Sequence, residues 1–211
     1  MDTSYNRIAG RSVERLAALS DGVFAVAMTL LALDLRAPVV EAIHSEHDLW
    51  SALAQLGPRL LMYVITFMTL GIFWIGQQTQ LNHFARSDRA LSWIHMLFLF
   101  AVSMTPFSTT LVAQFIAYRT AVLVYWANIA ILGLALYFSW ICASRSGLLK
   151  ADVTPAVSRA ILRRVTSAQT LYAGAAAISV FHARWGIGVI LLLQLNYALN
   201  PWAALRSKKS S

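Results

Sequence analysis

Long apolar runs divide the chain into lengths that match the thickness of a bilayer. A helix needs roughly 20 mostly apolar residues to cross the hydrocarbon core. Six such runs are present, at about 16–36, 58–78, 91–114, 120–143, 160–181 and 185–205. With 58% hydrophobic and 12% charged residues, the chain carries half the charge of a soluble domain, where about 25% is usual. The expected fold is an all-α membrane protein, a single domain over 1–211 with six transmembrane helices. Six spans with short connections fill the length and leave no room for a separate catalytic domain. There is no Gly-rich phosphate loop, no nucleophile–base constellation and no paired catalytic carboxylates, so an enzyme is not expected.

The net charge of +8 raises the question of nucleic acid, but placement argues for a membrane surface instead. Arg7, Arg11 and Arg15 precede the first run, and Arg86 and Arg89 lie in the second gap. Arg145, Lys150, Arg159, Arg163 and Arg164 lie in or flank the fourth gap, and Arg206, Lys208 and Lys209 follow the last run. These alternating segments hold 13 of the 17 basic residues; the other side has Arg36, Arg59, Arg119 and Arg184. The positive-inside rule then places both termini in the cytoplasm, which requires an even number of spans. No signal peptide is evident, and the first run is expected to be retained. Trp50, Trp140, Trp185 and Trp202 fall near the expected interfaces, where indole is favoured. The lone Cys142 sits in an apolar run and reads as a small apolar filler.

The first run, ALSDGVFAVAMTLLALDL, contains an aspartate where lipid-facing helices avoid one. At about 100° per residue, Gly22, Val26, Thr29, Leu30 and Leu33 form one stripe, and Ser20, Asp21 and Phe24 lie on the far side. The stripe suits simple packing against lipid or a helix. It also suits a pore wall, in which apolar rings close by dewetting and a hydroxyl ring coordinates a partly dehydrated cation. The wheel does not separate the two. Asp21 either carries ions or anchors helices through hydrogen bonds. Its direction away from the stripe favours the anchor, which requires a partner.

Arg15-x4-Ser20-Asp21, followed by Gly22-Val23-Phe24-Ala25 and the Val26…Thr29-Leu30 run, resembles the signature of the transmembrane protein 175 family of potassium channels. LGIFWIGQQ (70–78) and FLFAVSMTPFSTTL (98–111) resemble that family's second and third blocks, in the same order. The resemblance implies a potassium-permeable cation channel in which single six-span units assemble as homotetramers around a pore lined by the first helix. It implies potassium ions as permeant species, no cofactor, and a prokaryotic plasma membrane as location. Carried over by position, the hydrophobic constriction falls on Val26, Leu30 and Leu33, and the hydroxyl layer on Thr29. The family's buried hydrogen-bond network behind the pore falls on Arg15, Ser20 and Asp21. The chain departs from the family where Gln77-Gln78 replaces His-His, where His95 replaces Asn, and where Val26 replaces a larger Ile.

Other polar residues have plainer readings available. Trp74 suits the Asp21 network or a helix contact, and His95 suits a bond to Asp21 or Ser20 or a satisfied core position. Pro106 should kink or end the third span. Asn128, Gln169, Gln194 and Asn196 suit interhelical hydrogen bonds. HSEHD (44–48) offers His-x-x-His, but nothing in the sequence fixes a helix there and no second ligand pair follows. Expected partners are a second copy of the chain, potassium ions and membrane lipids, with no nucleic acid. A small secondary transporter and a non-conducting scaffold are the alternatives; a transporter would call for broken spans and a repeat, and neither is seen.

Overall fold

Each long apolar run within the described region becomes a helix because lipid leaves the backbone no external hydrogen-bond partners. The computed structural model describes residues 12–181, apart from Asp34 and Ile116. Six α-helices follow in order: α1 (Val13–Leu33), α2 (Glu46–Gln55), α3 (Gly57–Leu81), α4 (Arg89–Gln114), α5 (Arg119–Arg145) and α6 (Pro155–Phe181). Among the described residues, α1, α3, α4 and α5 are long and apolar enough to cross a membrane. They coincide with the first four expected spans to within about three residues at either end, the ordinary uncertainty of helix termini. The fifth expected span lies within α6. That helix falls short of the apolar standard of the other four because Arg159, Arg163, Arg164, Thr166, Ser167, Gln169 and Thr170 crowd it. The sixth expected span, with Gln194, Asn196, Trp185 and Trp202, lies outside the described residues.

Local chemistry sets the ends. Ser12 Oγ accepts from the Arg15 N–H at 3.2 Å, and Asp88 Oδ1 accepts from the Leu91 N–H at 2.8 Å; both side chains satisfy helix donors that have no intrahelical partner. Pro58 occupies the first turn of α3, where its missing N–H costs nothing. Gly147 takes φ 61° just beyond α5, the left-handed conformation that helix ends favour. One expectation is corrected. The outer connection does contain a helix, α2, because Ser45 caps it through the Asp48 N–H at 3.1 Å and Glu46 and Asp48 occupy its positive end. Pro106 does not end the third span, since α4 runs through it to Gln114, where that span was expected to finish.

The helices pack α1 against α3 and α4, α4 against α5, and α5 against α6. One apolar cluster runs through the middle of the bundle, with Phe24 and Leu31 of α1 against Phe73, Phe98, Val102, Ile129 and Leu132. Phe24 and Phe73 each place their ring beside Phe98, at 5.9 and 6.4 Å between centroids. A second cluster closes one end: Val13, Leu81, Phe84, Leu91, Trp140 and Leu148. Here the segments after α3 and α5 pair as a short antiparallel bridge. The Ala85 N–H donates to Leu148 O at 2.8 Å, and the Lys150 N–H donates to His83 O at 2.9 Å.

Trp140, placed by sequence near an interface, is fully buried in this second cluster. Its Nε1–H donates to Ser158 Oγ at 2.9 Å, tying α5 to the first turn of α6. The close packing of α5 on α6 also explains Gly133, where any Cβ would overlap the Gln169 amide. Replacing Ser158 with alanine strands the indole N–H inside the protein and should cost about 1–3 kcal/mol. The expected outcome is a lower melting temperature of the detergent-solubilised protein for Ser158→Ala, with Ser158→Thr close to the unaltered chain. Equal melting for all three would remove the bond from the account.

Candidate functional site

The site is built on α1, whose two faces have different surroundings. Ser20, Phe24, Ala27 and Leu31 point into the bundle and are buried. Gly22, Val26, Thr29, Leu30 and Leu33 point away from it. Val26 is 58% exposed, Leu30 45% and Leu33 71%, and a Cβ placed on Gly22 would meet open space. Three large apolar side chains and one hydroxyl therefore form an unpartnered stripe on the single chain. Thr29 Oγ1 lies 3.0 Å from Ala25 O and 2.9 Å from Val26 O, so its one hydrogen is used on the helix backbone. The oxygen lone pairs then remain as the outward chemistry of that side chain.

Hydrogen bonds to α3 hold α1 in this rotation. Ser20 is fully buried and donates to Leu16 O at 2.8 Å. It accepts from Gln77 Nε2 at 2.8 Å. One step along, Asp21 Oδ1 accepts from Trp74 Nε1 and from Gln78 Nε2, both at 2.8 Å. Trp74, Gln77 and Gln78 occupy neighbouring positions on the last two turns of α3, which therefore meets the third turn of α1 through three side-chain bonds. Ser20 and Gln77 lie in the interior. Asp21 and Trp74, which is 40% exposed, stay at the surface of the single chain.

The structure thus brings together Ser20, Asp21, Trp74, Gln77 and Gln78. Arg15 is exposed, and no hydrogen bond from its guanidinium joins the cluster among the described residues. His95 is buried on α4, with Nδ1 3.1 Å from Leu91 O and its ring edge-on to Phe84 at 6.5 Å. Its described bond is to its own helix, not to Ser20 or Asp21.

A polar seam that the sequence reading only touched runs between α3, α4 and α5. Asn128 Nδ2 donates to Thr105 Oγ1 at 2.9 Å, the interhelical role expected of it. Thr109 Oγ1 lies 3.0 Å from Thr66 Oγ1, which lies 3.4 Å from Tyr125 OH. All five side chains are buried. The available signal was the placement of Thr105 and Thr109 four residues apart, on one face of an apolar helix. Of HSEHD, Ser45 and Asp48 serve the start of α2, and Asp48 Oδ2 also accepts from the His44 N–H at 3.2 Å. Among the described residues no group of three or more His, Cys, Asp or Glu is placed to hold a metal ion.

The model of the family described as endosomal/lysosomal potassium channel TMEM175 matches residues 15–106, a stretch that includes α1, α3 and the cluster between them. A potassium channel of Streptomyces collinus is 31% identical over 191 residues, covering 88% of this chain and 91% of that protein. A potassium channel of Chamaesiphon minutus is 31% identical over 194 residues, covering 88% and 93%. The crystal structure of a lysosomal potassium-selective channel TMEM175 homolog from Chamaesiphon minutus superposes with a TM-score of 0.76 at 27% identity, covering 89% of this chain and 97% of that one. With identity, coverage and fold in agreement, the chain belongs to the TMEM175 family, a family of membrane channels and not of enzymes.

Proposed function

We propose that this protein is a potassium-permeable cation channel, a homotetramer whose central pathway is lined by α1. The observation that carries the reading is the outward stripe on α1, on a chain whose relatives are named as potassium channels. One chain supplies one copy of the stripe, so an axial pathway requires several copies around a symmetry axis. In that arrangement Val26, Leu30 and Leu33 form rings that dewet and constrict, and Thr29 supplies a ring of oxygen acceptors. The lone pairs left by the Thr29 backbone bonds are the chemistry that replaces part of a cation's hydration shell. Selectivity would then rest on ring width and hydroxyl coordination, with no charged filter.

The proposed topology has six spans with both termini in the cytoplasm of a prokaryotic plasma membrane, as the distribution of Lys and Arg requires. Lipids surround the assembly. Asp21 and Ser20 serve as anchors in this reading. They turn the stripe outward and leave the ion path free of fixed charge.

Reconstitution into planar bilayers under a potassium gradient tests the function directly. Ohmic unitary currents reversing near the potassium equilibrium potential are expected. Saturable coupled flux would make the protein a transporter, and absence of flux from a verified tetramer would make the stripe a packing surface.

Placement of the pathway has its own test. Val26→Cys and Leu30→Cys should react with a water-soluble thiol reagent at least tenfold faster than Leu134→Cys, which lies on the outer face of α5. Equal rates would put the stripe in lipid.

The anchor role predicts that Asp21→Ala, which removes the acceptor for Trp74 and Gln78, weakens the α1–α3 contact by about 1–3 kcal/mol. The tetramer fraction measured by light scattering should fall, and Asp21→Asn, which keeps an acceptor oxygen, should restore part of it. Unchanged assembly with altered conductance would make Asp21 an ion-contacting residue.

A further inference from the structure

At the end of the bundle where α1 finishes, α3 begins and α4 finishes lies a cavity of about 240 Å³. Its polar lining includes Arg36, Arg59, Tyr63, Thr110 and Gln114. This is the side of the chain where basic residues are scarce, and two of the four there meet in this one cavity. Neither guanidinium has a hydrogen bond or ion pair among the described residues. Arg59 also borders a neighbouring open cavity lined by Asp48, but that carboxylate accepts from the His44 N–H and does not come within ion-pair distance of the arginine. Two positive charges share one recess, and no carboxylate among the described residues lines it.

Arg59 lies in the first turn of α3, which carries no acidic residue that could pair with it locally. Guanidinium forks match the oxygens of tetrahedral oxyanions better than those of halides. The Tyr63 hydroxyl and the Gln114 amide supply further neutral donors.

We propose that this cavity binds an oxyanion, a phosphate or sulfate group held between Arg36 and Arg59, carried either by a free ion or by a lipid headgroup. Binding itself does not depend on the channel reading. If that reading holds, the bound group cancels positive charge beside the outer end of the proposed ion path.

The test uses full-length protein in a maltoside detergent. Potassium sulfate or inorganic phosphate is titrated while thermal unfolding is followed, with potassium chloride at matched ionic strength as the control. Saturable stabilisation by sulfate or phosphate beyond chloride is expected. Arg36→Gln and Arg59→Gln should each raise the half-saturating concentration at least tenfold, and Arg→Lys at either position should fall between. Because both side chains are exposed, these variants should elute and fold as the unaltered protein does. Saturation by inorganic phosphate identifies a free ion. Saturation only by short-chain phosphatidylglycerol, lost in the same variants, identifies a headgroup. Identical effects of sulfate, phosphatidylglycerol and chloride, or undiminished binding in the double Arg36→Gln/Arg59→Gln variant, would overturn the site.

Discussion

The rotation of α1 about its own axis determines the proposed ion path, and side-chain hydrogen bonds to α3 fix it. Apolar packing alone is a weak constraint on rotation in lipid, because a leucine gains little by exchanging an acyl chain for another leucine. Hydrogen bonds are directional and punish misplacement. With Ser20 bonded to Gln77, and Asp21 to Trp74 and Gln78, a turn of α1 by a single residue position, about 100°, would break all three. The same turn would carry Val26 and Leu30 into the bundle. A polar cluster on one face therefore sets the exposure of an apolar stripe on another.

The rest of the bundle follows the same economy. Between α3, α4 and α5 the seam of Thr66, Thr105, Thr109, Tyr125 and Asn128 supplies direction where apolar contacts supply only proximity. At one end, Trp140 combines both kinds of contact, filling the cluster with its ring while its N–H is committed to Ser158. Gly133 permits α6 to approach α5 closely enough for Gln169 to lie against the helix. Each such contact is small, and together they select one arrangement among many that bury similar apolar area.

Much of this could be read from the sequence because the constraints involved are periodic. Span lengths follow from bilayer thickness, and the two faces of α1 follow from 3.6-residue periodicity. Both depend on residues near one another in the chain. The partners of Asp21 were not derivable in that way, since Trp74 and Gln78 lie more than fifty residues away and several polar side chains competed for the role. His95 was one of those competitors, and its described bond goes to Leu91 O instead. The burial of Trp140 was missed because an indole near a helix end suits an interface and an interior equally well. The α2 helix is short, and its capping signal, Ser45 with Asp48, is interleaved with two histidines that read equally well as metal ligands.

The paired backbone between Phe84 and Leu149 has a mechanical consequence. Two hydrogen bonds clamp the segment leaving α3 to the segment leaving α5, and the rings of Phe84 and Trp140 lie tilted against each other behind that clamp, 5.9 Å between centroids. The corner ties the end of α3 to the end of α5. A tilt of the α5–α6 pair would pull on the end of α3 that bears Gln77 and Gln78, and so on the two side chains that set the angular position of α1. The α5–α6 pair is thus linked to the rotation of α1 through main-chain atoms, which only a proline at Ala85 or Lys150 would remove.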